Sequence, residues 1–262
     1  MIRNLVYYAY FNIGNIPKYI SQHIYLLKHY IDIFNGEKII YIATDDEINI
    51  NTINKLKSYF SFTNATIKVV KNNPNNRESE YFIGQLEDLQ KIKKDNSITF
   101  YAHTKGSTYD ENNCILKWIL SMYFFNLEND NLLNIDNKLK DNLFSGIFRI
   151  DNPCPPWVFA DWHYSGTFFW FNTDNLFSTD WKSGYKDRFF VESYPGLKCN
   201  ISQSILSEDL FNIYAKSFLP IGYDRHDLRY NFYWDNIFSK GLISTDKLIK
   251  FNNLLNKISE VN

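Results

Sequence analysis

The first residues that suggest chemistry stand at the end of an apolar run in the segment FYAHTKG, at positions 100–106. The run leads directly into His103, Thr104, Lys105 and Gly106, so an imidazole, a hydroxyl and an ammonium follow one buried segment. Lys105 supplies a compact positive charge that suits phosphate oxygens, and Gly106 permits close approach of a ligand to the backbone. These residue types predict a phosphate site. A polar loop with Lys105 solvated fits the same four residues.

A second candidate segment is DWHYSGTFFWF, at positions 161–171. The small pair Ser165–Gly166 stands just before an apolar strand, where a ligand has room to lie against the backbone. We therefore take Asp161, His163 and Ser165 as functional candidates. The four apolar residues that follow, at 168–171, are predicted to be plain core.

A third candidate is the pair Arg188 and Glu192, four residues apart. On a helix the two side chains would face the same side and pair. The functional interpretation makes Glu192 a general base held by Arg188, since base catalysis needs a carboxylate within hydrogen-bond reach of the attacking hydroxyl. The alternative is a surface ion pair of little energetic value.

Two further candidates carry charge near predicted strand ends. Asp45 and Asp46 follow the second predicted strand, where a carboxylate can accept a hydrogen bond from a ribose hydroxyl or a base. The alternative for this pair is a helix N-cap with first-turn charge. Arg77 is a candidate for binding a diphosphate, and the nearby Ser79 is an equally good helix N-cap.

The elements that must position these residues alternate between short apolar runs and longer helical patterns. The predicted strands of the first hundred residues are Leu5–Tyr10, Lys38–Thr44, Ala65–Val70 and Ser97–His103. Between them, apolar residues at helical spacing predict helices, among them one along 20–30 and one over Glu80–Lys94. This alternation predicts a mostly parallel α/β sheet with helices on both faces. Ligands bind outside the carboxyl ends of such strands, which is where most of the candidates stand.

The second half of the chain has a different pattern. It is predicted to hold one long helix over 113–135, an aromatic strand over His163–Thr173 and a helical stretch near Ser202–Ile213. We predict a single domain over 1–262, with a nucleotide-binding half at 1–106 and an aromatic-rich acceptor half at 107–262. Aromatic residues make up 18% of the chain, a content that suits sugar binding.

Composition and missing motifs exclude several classes of protein. The chain has 262 residues and a formal net charge of -1, which argues against nucleic-acid binding. We find no transmembrane run and no secretory signal pattern, and we predict a cytoplasmic protein. Dinucleotide-binding, P-loop and hydrolase-elbow glycine motifs are also missing. The three cysteines form no zinc-type spacing, so we predict no structural metal.

Taken in order, these segments resemble a family of small GT-A-type glycosyltransferases from bacterial capsule and lipopolysaccharide clusters and from large DNA viruses. That family has a strand ending in HTKG, a Trp-bearing helix, an HxSGxFWW-type segment and an R-x-x-x-E motif. Here they correspond to YAHTKG at 101–106, Trp118, HYSGTFFWF at 163–171, and Arg188 with Glu192. The resemblance covers about residues 1–196.

The resemblance implies a GT-A-like, Rossmann-like fold and transfer of a sugar from a nucleotide-sugar, with a UDP- or GDP-sugar expected. The acceptor would be a glycan or lipid-linked saccharide in surface polysaccharide or glycoprotein glycan synthesis, with peripheral association at the inner face of a membrane as one option. GT-A enzymes usually hold a divalent metal on a DxD motif, but His103–Thr104–Lys105 stand there instead. We therefore favour a metal-independent reaction, with Mn²⁺ or Mg²⁺ on Asp45 or Asp46 as the alternative.

The same resemblance assigns roles to the candidates. The nucleoside would lie near Asn12 and Asp45. His103, Thr104, Lys105, Gly106 and Arg77 would surround the diphosphate. The backbone at Ser165–Gly166, with Asp161 or His163, would contact the donor sugar. Glu192 would deprotonate the acceptor hydroxyl, which gives an inverting reaction.

Two other functions stay open at this point. One is a carbohydrate-binding protein without catalysis, which the aromatic content favours. The other is a different phosphate enzyme on an α/β sheet, a nucleotidyltransferase or phosphatase, with Asp45 and Asp46 as metal ligands.

Overall fold

A computed structural model describes residues 1–14, 16–104, 113–151, 160–164, 166–184, 187–206 and 243–261. The strands are β1 (Ile2–Tyr10), β2 (Lys38–Thr44), β3 (Thr66–Lys71), β4 (Ser97–His103), β5 (Phe144–Gly146), β6 (Arg149–Asp151), β7 (Trp162–Tyr164), β8 (Phe169–Asn172) and β9 (Ser204–Leu206). The helices are α1 (Lys18–Tyr30), α2 (Ile50–Ser58), α3 (Glu78–Ile92), α4 (Asn113–Leu127), α5 (Asn129–Lys138), α6 (Thr173–Phe177), α7 (Phe190–Lys198) and α8 (Thr245–Ser259).

Seven of these strands form one mixed sheet in the order β3-β2-β1-β4-β8-β5-β9. β1 pairs in parallel with β2 and β4, and β2 pairs in parallel with β3. β8 runs antiparallel to both of its neighbours, β4 and β5. The predicted α/β class with a mostly parallel sheet is therefore confirmed, and strands from both halves of the chain share one sheet.

The central parallel strands β1, β2 and β4 are buried along most of their length. All seven residues of β4 are buried, as are the last six of β2. Strands covered on both faces lack polar alternation, and the predicted bounds Lys38–Thr44 and Ser97–His103 are confirmed. β3 is half-exposed and lies at the sheet edge, where Lys68 and Lys71 oppose edge-to-edge association.

Helices cover both faces of the sheet and bury two separate apolar clusters. One cluster joins the sheet to α1, α2, α4 and α8. The other joins it to α3, α6 and α7, with the Phe82 ring of α3 edge-on to the rings of Tyr101 and Tyr194. Phe82, Leu86 and Leu89 of α3 are buried, whereas Ile92 is 42% exposed at the end of the helix.

The prediction of one long helix over 113–135 is wrong. The helix breaks at Glu128, whose backbone is extended, and α5 begins at the next residue. Side chains take over the carbonyl groups released by the break. The Asn131 amide donates to the carbonyl of Phe125 (2.8 Å), and the Trp170 indole donates to that of Asn126 (3.0 Å).

Two other predictions for the second half are also wrong. The segment His163–Thr173 is two strands, because Gly166 and Thr167 both have positive φ and turn the chain between them. β7 then pairs with β6 in a separate two-stranded sheet, while β8 enters the main sheet. Phe148, which lies between β5 and β6, also has positive φ. Of the stretch near Ser202–Ile213, residues 204–206 form strand β9 and not helix, and residues 207–213 lie outside the described part of the chain.

Candidate functional site

The strand order places the candidate site between β1 and β4. From β1 the chain adds β2 and β3 on one side, then crosses to add β4 on the other. In open α/β sheets, the crevice for a ligand opens at the carboxyl ends of the strands where the order reverses in this way. The residues that follow β1, β2, β3 and β4 all reach this edge because the four strands are parallel.

Asn12, Asp45 and Asp46 meet at this edge, as predicted. The side-chain amide oxygen of Asn12 accepts hydrogen bonds from the Thr44 hydroxyl (3.0 Å) and the Asp45 backbone N–H (2.8 Å). Asp46 accepts from the Ile13 backbone N–H at 2.7 Å and so holds the loop after β1 against β2. Neither aspartate caps a helix, because the N-cap of α2 is Asn49. The helix-cap alternative is therefore wrong.

Asp45 is the exposed member of this network. Its carboxylate accepts hydrogen bonds from the Tyr10 hydroxyl and from the Asn72 amide (2.9 Å). These two bonds lower the pKa of the Asp45 carboxyl below its ordinary value. Partial burial and the Asp45 carboxylate raise the pKa of Tyr10 to about 12. The edge therefore presents a carboxylate beside a neutral phenol.

Thr104 makes its hydrogen bonds within the protein, to the backbone of β1. Its backbone N–H donates to the Tyr8 carbonyl (3.0 Å), and its hydroxyl accepts from the Tyr10 backbone N–H (3.0 Å). Both bonds extend the pairing of β1 and β4 past the end of β4. The buried hydroxyl thus joins the two strands that form the crevice.

His103 is buried at the end of β4 and lies between two acceptors. Its Nε2 is 3.1 Å from the carbonyl oxygen of Gly166, and its Nδ1 is 3.7 Å from the Glu78 carboxylate. The ring therefore connects the turn before β8 with the first turn of α3. In this arrangement His103 positions neighbouring segments of the site, because both ring nitrogens face acceptors of the protein.

Gly166 must be glycine for two reasons. Its φ is +94°, and an added Cβ would stand 2.4 Å from the Met122 sulfur and 3.1 Å from the Trp118 ring. The next residue, Thr167, has φ +62°, which is an outlier for a β-branched side chain. The backbone therefore packs closely on the Trp-bearing helix α4, and the carbonyl of Gly166 is directed at His103.

Arg77 stands at the start of α3 with φ +49° and ψ -128°. An arginine in this region of backbone space costs roughly 1–3 kcal/mol, and such residues are enriched at functional sites. The positive charge of Arg77 opposes the rise in the pKa of the Tyr8 and Tyr10 hydroxyls, so the guanidinium lies near the carboxyl end of β1.

Ser79 lies inside the first turn of α3 and is not its N-cap, which is Arg77, so that alternative is wrong. The Ser79 hydroxyl instead donates to the carbonyl of Arg188 (3.0 Å) and accepts from the Val191 N–H (3.4 Å). The starts of α3 and α7 are therefore held together.

Glu192 lies in the first turn of α7, with its carboxylate 3.9 Å from Nε2 of the buried His163. Arg188 comes before the helix begins at Phe190. The described contacts of Arg188 are with Ser79 and the Phe189 ring, and no ion pair with Glu192 is among them. The predicted helical pairing of Arg188 with Glu192 is therefore wrong, and His163 takes the place of the arginine.

The remaining candidates are Asp161, Lys105, Gly106 and Ser165. Asp161 is exposed just before β7. Lys105, Gly106 and Ser165 lie outside the described residues. Glu78 and Tyr10 are residues of this edge that the sequence analysis missed. Their positions could have identified them, because Tyr10 ends a predicted strand and Glu78 lies two residues before the predicted helix Glu80–Lys94.

Most aromatic residues that the structure describes are core. The tryptophans at 118, 162, 170 and 181 are at most 4% exposed, and the predicted core run at 168–171 is buried. Trp157 and Trp234 lie outside the described residues. The high aromatic content therefore reflects packing between the sheet and its helices to a large extent.

Within the described ranges, no three His, Cys, Asp or Glu side chains stand close enough to hold a metal ion together. None of the helices in the described part of the chain has the length and apolar character of a membrane-spanning segment.

A comparison of the chain with models of known protein families finds no match. A comparison with curated proteins likewise finds no similar protein.

Proposed function

We propose that this protein is a glycosyltransferase that moves a sugar from a nucleotide-sugar donor to a glycan or lipid-linked saccharide acceptor. One observation supports this proposal above others. Residues from the ends of β1, β2 and β4, from the start of α3 and from the turn before β8 converge on one crevice at the reversal of strand order. Such a crevice suits a nucleotide, because strand ends and a helix start surround it.

The nucleoside lies on the Asp45 side of the crevice in this proposal. The Asp45 carboxylate and the neutral Tyr10 hydroxyl offer an acceptor and an aromatic face there. Arg77, at the start of α3, binds the diphosphate together with Lys105. The donor sugar lies against the backbone at Gly166, where the lack of a side chain allows close approach.

The transfer step uses the Glu192 carboxylate as the base. The acceptor hydroxyl oxygen attacks the anomeric carbon as its proton passes to Glu192. The bond between that carbon and the diphosphate oxygen breaks, and the nucleoside diphosphate leaves with the electron pair. His163 orients the carboxylate from 3.9 Å. Positive charge at the diphosphate stabilises the charge that develops there.

Nucleotide binding is the first test. A ligand that binds only the folded protein raises its melting temperature. We expect one of UDP, GDP, CMP or TDP, or one of their sugars, to do so, and the shift to persist in EDTA. No shift with any nucleotide at several millimolar contradicts the proposal and favours a sugar-binding protein.

The role of Glu192 is tested by Glu192→Gln, with Glu87→Gln as the matched control. Glu87 is exposed on α3 and pairs with Lys182. Loss of a general base lowers kcat by about 10²–10⁴, so we expect at least a hundredfold loss in Glu192→Gln and none in Glu87→Gln. The nucleotide-induced thermal shift is expected to survive both changes. Normal transfer by Glu192→Gln removes this residue from the mechanism.

The same assay separates the alternative phosphate enzyme. That function needs Asp45 as a metal ligand and predicts loss of activity in Asp45→Asn with retention in Lys105→Ala. A metal-independent transferase predicts the larger loss in Lys105→Ala, because the ammonium then neutralises the leaving diphosphate.

A further inference from the structure

The pair formed by His103 and Glu78 carries an inference of its own. His103 is 5% exposed, and the side chain of Glu78 is 18% exposed, so the two meet mostly out of water. A carbonyl oxygen only accepts hydrogen bonds, so the Nε2 that contacts Gly166 at 3.1 Å carries a hydrogen. The other nitrogen faces the Glu78 carboxylate. An imidazole with an acceptor on each side is stabilised as imidazolium.

The described groups near the pair include two phenols, a guanidinium and an aromatic ring. Tyr8 of β1 and Tyr101 of β4 lie on the same face of the sheet as His103, since Tyr8 is opposite His103 in the strand register. Burial, and next the Glu78 carboxylate, raise the pKa of both phenols well above the ordinary value, so both are neutral. Arg77 is the cation next to Glu78 in the chain. The Phe168 ring, 5.9 Å from the imidazole, adds no charge.

The pair spans two segments whose backbones are strained. Arg77 precedes Glu78 and has φ +49°, while Gly166 and Thr167 have φ of +94° and +62°. Such conformations persist only where the surroundings fix them. His103 bonds to one of these segments and contacts the other, so it sets the spacing between them.

We propose that Glu78 is a positioning residue that holds His103 as an imidazolium and thereby ties the start of α3 to the Gly166 turn. This inference rests on the proposed function, because its consequence is the spacing of two parts of the donor site. Arg77 reaches the diphosphate from one end of the tie. The Gly166 backbone contacts the donor sugar at the other end.

The direct test is an NMR titration of the His103 ring in the full chain without nucleotide. Removing a carboxylate beside an imidazole takes away stabilisation of its charged form. We expect Glu78→Gln to move the titration midpoint of His103 to lower pH by about one unit, and Glu78→Asp to retain part of the difference. An unchanged midpoint in Glu78→Gln overturns the inference.

Glu80→Gln is the matched control. Glu80 lies in the same first turn of α3, but its carboxylate bonds to Asn73 and Asn76. The control removes the same charge from the start of the helix, so its His103 midpoint is expected to stay within a few tenths of a unit, as in wild type. An equal shift in both variants would assign the effect to the helix terminus and overturn the role of Glu78.

A second readout connects the pair to the donor site. If Glu78 sets the site geometry through His103, Glu78→Gln weakens binding of the nucleoside diphosphate identified by thermal shift by about tenfold, most strongly above the lowered midpoint of the ring. Wild-type affinity in Glu78→Gln overturns the positioning role. If wild type binds no nucleotide, the proposed function fails, while the titration still decides whether the pair exists.

Discussion

Polar residues at the carboxyl edge hold the parts of the crevice together, which their residue types alone do not indicate. Asp46, Thr104 and His103 all direct their polar atoms at other parts of the protein. Among the described residues of this edge, Asp45 is exposed, and Tyr10, Asn12, Asp46 and Arg77 are partly exposed. A polar residue after a strand can therefore belong to the walls of a site as well as to its ligand-binding surface.

Gly166 gives the sharpest prediction at this scale. Gly166→Ala is expected to lower the free energy of unfolding by roughly 2–4 kcal/mol, from the positive φ and from the close approach to Met122. Gly14→Ala is the control, since a Cβ at Gly14 would meet nothing within 4 Å. Urea unfolding measures both. Equal stability of the two variants would contradict the described packing of the turn on α4.

Asp45 predicts a dependence of stability on pH. Its folded pKa is depressed, so its hydrogen bonds contribute stability above the unfolded pKa, and this contribution is lost as pH falls through the folded pKa. Wild type is therefore expected to exceed Asp45→Asn in stability at pH 7, and the difference is expected to shrink below pH 4. Urea unfolding between pH 2.5 and 7 tests this. A difference independent of pH would rule out a carboxylate effect.

At the scale of elements, the helices α3 and α7 work as a unit because their first turns are joined. Ser79 bridges them through Arg188 and Val191, and each helix then presents one carboxylate to a buried histidine. The geometry of Glu192 consequently depends on a residue of α3 that is more than a hundred positions away in the chain.

Ser79→Ala tests this coupling. Loss of a buried hydroxyl that makes two hydrogen bonds is expected to cost about 1–2 kcal/mol. Hydrogen exchange is expected to rise at the Val191 amide and to stay unchanged in α2. Ser58→Ala, at an exposed hydroxyl that bonds within α2, serves as the control. Unchanged exchange at Val191 would show that the two helices dock without the serine.

The elements also show what the sequence can predict. β2 and β4 were predicted with correct bounds, because a continuous apolar run between polar residues is a local signal. The breaks at Glu128 and Gly166 were missed because tertiary contacts stabilise them, through the Trp170 indole and the packing on Met122. Arg188 and Glu192 have helical spacing, but the helix starts between them. Candidate residues were thus recognisable by type, whereas their partners depended on long-range contacts.

At the scale of the whole molecule, β8 connects the two halves of the chain. It lies between β4 and β5 and pairs with both, so the sheet is continuous only when residues from both halves are present. The Phe82 ring of α3 also packs on Tyr194 of α7. The first half of the chain therefore shares its core with the second half.

This sharing predicts that the fragment 1–106 does not fold alone. Its β4 edge would lose β8, and the α3 face would lose α7. We expect aggregation or an unfolded far-ultraviolet circular dichroism spectrum, and recovery of soluble protein on co-expression with residues 107–262. A monomeric fragment with a cooperative thermal transition would show that the first half is an independent domain.

The position of β8 also has a consequence for synthesis on the ribosome. β4 is buried along its whole length, and β8, its partner on one side, follows roughly 65 residues later in the chain. Because synthesis proceeds at about 5–20 residues per second, the edge of β4 that pairs with β8 stays open for several seconds before β8 emerges. During that interval one edge of β4 has no partner strand, and such an edge is a template for association with other chains. Slow translation between these two strands is therefore expected to increase association of the nascent chain with other chains.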